Sequence, residues 1–173
     1  MSDQPNDEQS AKPSRRNILP PMFGPIEKGK RTWKRVEDID HDLMGYLLSC
    51  HLMIEHYMDE FLKATYPQLD WDAAKLTFGQ RVALLTKWDI GPPFNPVAVI
   101  KHLNTLRNRL GHRVDYTLTQ EDLLPFVHYL ETATEKPLEE KSPRALLAFF
   151  TTLCAAVFAG SVYSVDKKMG RTR

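Results

Sequence analysis

Residues 39–62 read IDHDLMGYLLSCHLMIEHYMDEFL, and the spacing of their apolar side chains decides the fold class. Ile39, Leu43, Tyr46, Leu47, Cys50, Met53, Ile54, Tyr57, Phe61 and Leu62 recur every three or four positions. A period near 3.6 gathers them on one side of a helix as a broad stripe that has to be buried. The helix is predicted from about Val36 to Tyr66, where Pro67 stops it because proline cannot continue the hydrogen-bonded ladder.

The same pattern continues downstream. DWDAAKL suggests a short turn of helix. TFGQRVALLTKW, residues 77–88, opens a second helix, with Thr77 and Gln80 spaced as a capping box. DIGPPFNP then forces a loop, and Asn95-Pro96 restarts a helix as N-cap and first residue. The third helix, about 96–110, carries Val97, Ile100, Leu103, Leu106 and Leu110 on one face, and Gly111 is placed to end it. A fourth follows Thr119, with Asp122 as its capping partner and Pro125 expected to bend it. Ser142-Pro143 opens the last. No alternating β-branched run and no internal repeat interrupts this order, so the chain reads as all-α, an antiparallel bundle of about five helices.

Composition sets the outer limits. The chain has 173 residues, enough for one domain with its own core. Its formal net charge is only +1, so no global field draws in a polyanion, and nucleic-acid affinity requires a local cluster. Cys50 and Cys154 sit in apolar runs without a CxxC pair, as buried thiols of a reducing cytoplasm do. Residues 1–35 are polar and Pro-rich with no apolar signal-like stretch. They carry eight cations against four acids, many in EKGKRTWKR, and read as a disordered basic arm suited either to loose RNA contact or to solubility. The helical domain is expected at 36–168, followed by a short basic tail at 169–173.

One segment fits two solvents. ALLAFFTTLCAAVFAGSVYSV, residues 145–165, holds 21 residues without a charge, flanked by Arg144 and by Lys167 and Lys168. That length spans a bilayer. It equally suits the central helix of a soluble bundle or dimer, apolar all round because it is buried all round, and the amphipathic character of the other helices favours this second reading.

The chemistry lies in LRNRLGHR, residues 106–113. Asn108 and His112 are four apart and share a face if the helix persists to 112, and Arg107 lies about 100° round the axis. Two readings are open. Cations and histidine are favoured at any helix C-terminus by the macrodipole. Alternatively the set serves RNA cleavage without a metal, which needs a group to exchange protons with the 2′-hydroxyl and the 5′-oxygen and another to stabilise the phosphorane. An imidazole does the first, a guanidinium the second, and an amide orients either.

The stretch LNTLRNRLGHR resembles the signature of the HEPN superfamily of all-α domains: an Arg, a polar neighbour, and a His four to six residues beyond the Arg. TFGQRVALLTKW resembles the second-helix segment of the branch related to the mannitol operon repressor, and the resemblance covers about residues 36–166. It implies a metal-independent endoribonuclease of the toxin, defence or RNA-processing type, acting as a homodimer that brings two motifs into one cleft. In that role His112 is the acid–base group, Arg107 the phosphate ligand and Asn108 the positioning group, with Arg109 and Arg113 as further RNA contacts. Other members are non-catalytic regulatory or protein-interaction modules, and an antitoxin or regulatory protein is then the partner. Gly111 departs from the Ala more usual before the His.

Other constellations are weaker. His51, Glu55 and His56 do not form HExxH, and the two histidines do not share a face, so no zinc site is expected. His41 and His128 read as lone imidazoles, and His102 lies on the motif helix five residues before Arg107 and on a different face. Asp38, Asp42, Glu55, Asp59 and Glu60 read as a solvated face. No cofactor motif is present, and the expected location is the cytoplasm.

Overall fold

A computed structural model describes residues 20–35, 39–85, 88–113 and 116–171. The chain divides into two units between Ile39 and Asp40.

The first unit corrects the expectation of a disordered arm over residues 20–35. Strands β1 (Met22–Glu27) and β2 (Lys30–Lys34) form an antiparallel hairpin. Lys28 and Gly29 both take positive φ, 50° and 76°, the conformation that a tight two-residue hairpin turn demands. Phe23 pairs with Trp33 across the strands, their rings 4.6 Å apart. Gly24 is required where it stands, since a Cβ would lie 2.4 Å from Thr32 Oγ1. Residues 1–19 of the expected arm lie outside the described residues.

The second unit is helical: α1 (His41–Thr65), α2 (Trp71–Ala74), α3 (Phe78–Leu84), α4 (Val97–His112), α5 (Gln120–Thr134) and α6 (Pro143–Lys168). The caps follow local chemistry. Thr77 and Gln80 close a reciprocal capping box on α3, Thr119 and Asp122 on α5, and Ser142 caps α6 with Pro143 in its first turn. Pro125 lies inside α5. At α4 the cap shifts by one: Pro96 is the terminal residue, and Asn95 Oδ1 accepts from Val97 N at 3.0 Å.

The core is continuous from Leu47, Ile54, Met58 and Leu62 of α1 through Ile100, Leu103 and Leu106 of α4 and Phe126 and Leu130 of α5 to Leu147, Phe150 and Phe158 of α6. The most extensive helix contact is α1 on α6. These two run parallel: Arg144 at the start of α6 lies over the Tyr46 ring early in α1, and Phe158 meets Phe61 near the end of α1. The bundle is therefore not wholly antiparallel. α1 and α4 do run antiparallel, since Met44 lies across from Gly111 and His51 from Asn104.

Helix α6 is buried on one side only. Leu146, Leu147, Phe150, Thr151, Cys154 and Phe158 face the core, whereas Phe149, Thr152, Ala156, Ala159, Gly160 and Tyr163 are exposed. Within this chain its uniform apolarity does not reflect all-round burial. It is the one helix among the described residues long and apolar enough to cross a membrane. Both cysteines are buried and unpaired, and burial pushes both thiols up from their ordinary range.

Candidate active site

Helix α4 presents the motif by its own periodicity. Val99, Ile100, Leu103, Leu106 and Leu110 are buried, which turns Arg107, Asn108, Gly111 and His112 outward. Gly111 does not end the helix. The backbone stays helical through His112 and leaves at Arg113, whose φ of −133° and ψ of 95° are extended. The persistence to His112 is what lets Asn108 and His112 share a face. Gly111 takes no positive φ, and a Cβ there would meet nothing within 4 Å.

Three open hollows meet around this surface, each of the motif residues standing on a ridge between two. Arg107 and His112 line one of about 410 Å³ with Met44, Gly45 and Leu48 of α1. Asn108 and His112 line one of about 510 Å³ with Arg109, Arg113 and Tyr116. Arg107 and Asn108 line a third of about 440 Å³ with His51, Glu55, Phe78 and Asn104. Arg107 Nη1 donates to Asn108 Oδ1 at 3.1 Å, so the amide orients the guanidinium. Arg107 and the exposed His112 thus both open onto the first of these hollows.

Arg109 has a structural partner. Its Nη1 donates to Asp122 Oδ1 at 3.1 Å and lies 3.4 Å from the Tyr116 hydroxyl. Asp122 also accepts from Tyr116 and from Thr119 N and Oγ1. Burial alone would raise this carboxyl, but those donors together with Arg109 hold it below its ordinary value. Burial and the bond to Asp122 raise the Tyr116 hydroxyl. His102 Nε2 hydrogen-bonds the Asp122 carbonyl at 2.8 Å, a second tie between α4 and α5. Arg113 is exposed at the end of the helix.

Sequence reasoning missed a polar network behind the motif. His51 is only 4% exposed, its ring 4.1 Å from that of Phe78. His51 Nε2 lies 3.2 Å from Asn104 Oδ1, and burial lowers the imidazole from its ordinary value. Glu55 and Asp59 are not a solvated face: both are partly buried and paired with Arg81 of α3, Glu55 by a short hydrogen bond. Burial raises the Asp59 carboxyl in spite of Arg81, which lies within ion-pair range at 3.1 Å but out of line for a hydrogen bond. Two acids four apart on α1 facing one arginine of a capped helix was the legible signal. His51 is buried while His56 is exposed, and among the described residues no three His, Cys, Asp or Glu side chains gather as a metal cage.

Compared with family models, with curated proteins and with solved structures, the chain finds no match in any of the three.

Proposed function

We propose that the chain is a HEPN-like, metal-independent endoribonuclease of the cytoplasm. The observation that carries the reading is that His112 is exposed on α4 and lines the same hollow as Arg107. In the reaction Arg107, steadied by Asn108, holds the scissile phosphate and stabilises the phosphorane. His112 exchanges the proton between the ribose hydroxyl and the leaving oxygen. Arg113 and the exposed edge of Arg109 add charge along the strand. The hairpin supports RNA contact independently, with Phe23 and Trp33 exposed beside Lys30 and Arg31 as a stacking and phosphate surface.

A homodimer completes the proposal, because the outer face of α6 is apolar and uncovered within one chain. One further observation favours the alternative, a non-catalytic regulatory module bound to an antitoxin or another protein: Leu48 and Leu52 are exposed on α1, Leu48 on the rim of the Arg107–His112 hollow. Cleavage of RNA in the presence of EDTA, compared between wild type and His112→Ala, separates the two.

A further inference from the structure

His51 and Arg107 line one hollow of about 440 Å³, the first as a buried imidazole of α1, the second as an exposed guanidinium of α4. Phe78 of α3 packs on the imidazole, the ring centroids 4.1 Å apart. From α4, Asn104 Oδ1 lies 3.2 Å from His51 Nε2. That oxygen takes the one proton of the neutral ring, so Nδ1 is a bare lone pair, buried and without a hydrogen-bond partner. Glu55, one turn further along α1, places its Oε2 4.0 Å from Nδ1. Arg81 of α3 holds the other Glu55 oxygen and also pairs with Asp59. The charged groups around His51 are thus Glu55 of α1, with Arg81 of α3 and Asp59 behind it, and Arg107 of α4.

A second ring proton, taken from solvent, has one place to go. It lands on Nδ1 facing Glu55, while Nε2 keeps its bond to Asn104. No hydrogen bond breaks, and the contact with Glu55 becomes an ion pair. Burial is the chief force against this protonation; Asn104 and Glu55 favour it, and the charge of Arg107 opposes it. Burial is a fixed cost, but the charge of Arg107 is not, because an anion bound to the guanidinium cancels it. Conversely, a protonated His51 sets a second cation on the hollow and strengthens its attraction for an anion. Coupling of this kind is reciprocal. We propose that His51 is a proton-linked positioning residue: an anion on Arg107 draws a proton onto His51 Nδ1, and that proton in turn tightens the hold of the site on the anion. The proposal rests on the reading of Arg107 as the phosphate ligand. It makes the grip on an RNA phosphate stronger in mild acid through a buried residue outside the motif.

The test follows the His51 ring by NMR across a pH titration of the full chain, its resonances assigned through the contact with Phe78. The probe is sulfate, an oxyanion whose charge is constant where histidine titrates, compared with chloride at equal ionic strength. His112→Gln is the background throughout, so that the exposed imidazole sharing the neighbouring hollow with Arg107 contributes nothing. Sulfate should raise the pH at which His51 titrates, and should bind about threefold more tightly to the protonated form. Arg107→Gln removes an exposed charge and leaves the core intact. It should raise the His51 midpoint with no sulfate present and abolish the response to sulfate. A midpoint that sulfate does not move overturns the linkage, as does a sulfate response that survives Arg107→Gln. RNA cleavage in EDTA is scored separately, with His112 in place. A His51 response without cleavage upholds the linkage and removes catalysis. Cleavage with an unmoved His51 removes the linkage and leaves catalysis standing.

Discussion

Arg109 and Asp122 are 3.1 Å apart, and their contact ties the last turn of the motif helix to the first turn of α5. Asp122 is also the partner of the N-cap Thr119 in the capping box of α5, so one carboxylate fixes both elements behind the exposed face of Arg107 and His112. Asp122→Asn should destabilise the domain by about 2 kcal/mol at neutral pH, through a weakened cap and lost charged hydrogen bonds. The folded carboxyl lies below its ordinary value of 3.8, so this stability is present above that pH and is lost as pH falls through the folded value. Urea melts of the two proteins should therefore differ at pH 7 and converge in strong acid. A gap that does not narrow would refute the role of the ionised form.

His51 predicts a second, milder acid dependence. Burial lowers its folded value below the ordinary 6.5, so the unfolded chain takes up a proton first as pH falls. Stability is full above 6.5 and declines from there towards the depressed folded value. Between pH 7.5 and 5.5 the wild type should lose more stability than His51→Gln, as measured by urea midpoint at constant ionic strength. Identical losses would show that His51 is not the group responsible.

Gly111→Ala should stabilise α4. The position is helical and a Cβ there meets open space. The expected gain is about 0.5–1 kcal/mol, the ordinary cost of glycine inside a helix. A lower midpoint in thermal melts would mean that the last turn is not helical in solution.

These three residues also show what sequence could and could not convey. Capping is local, so Thr77 with Gln80, Thr119 with Asp122, and Ser142 with Pro143 were readable directly. The outward face of α4 followed from its apolar period, but Gly111 misled, since a glycine can sit inside a helix whose fold requires another turn. The burial of His51 was illegible because it depends on Phe78 and Asn104, 27 and 53 positions away in the chain and brought together only by packing. The hairpin escaped notice because Phe23, Ile26 and Trp33 are exposed and form no long alternating run, although Lys28-Gly29 between two short segments was its turn signal. The parallel course of α6 along α1 is a property of topology that no local pattern encodes.

Dimerisation through α6 makes a direct prediction. Light scattering at micromolar concentration, without detergent, should report twice the monomer mass. Ala156→Glu, a charge midway between Phe149 and Tyr163 on the exposed face, should give the monomer. A monodisperse wild-type monomer would contradict the dimer, and recovery only in the membrane fraction would assign α6 to a bilayer.

The central claim is tested most directly by incubating the purified protein with a mixed RNA pool in EDTA, beside folded His112→Ala and Arg107→Ala proteins. Cleavage by wild type that leaves 2′,3′-cyclic phosphate ends, reduced about a hundredfold or more in either variant, is the predicted result. Equal inactivity of all three, with folding and oligomeric state intact, would contradict it and leave the motif as a surface for a protein partner.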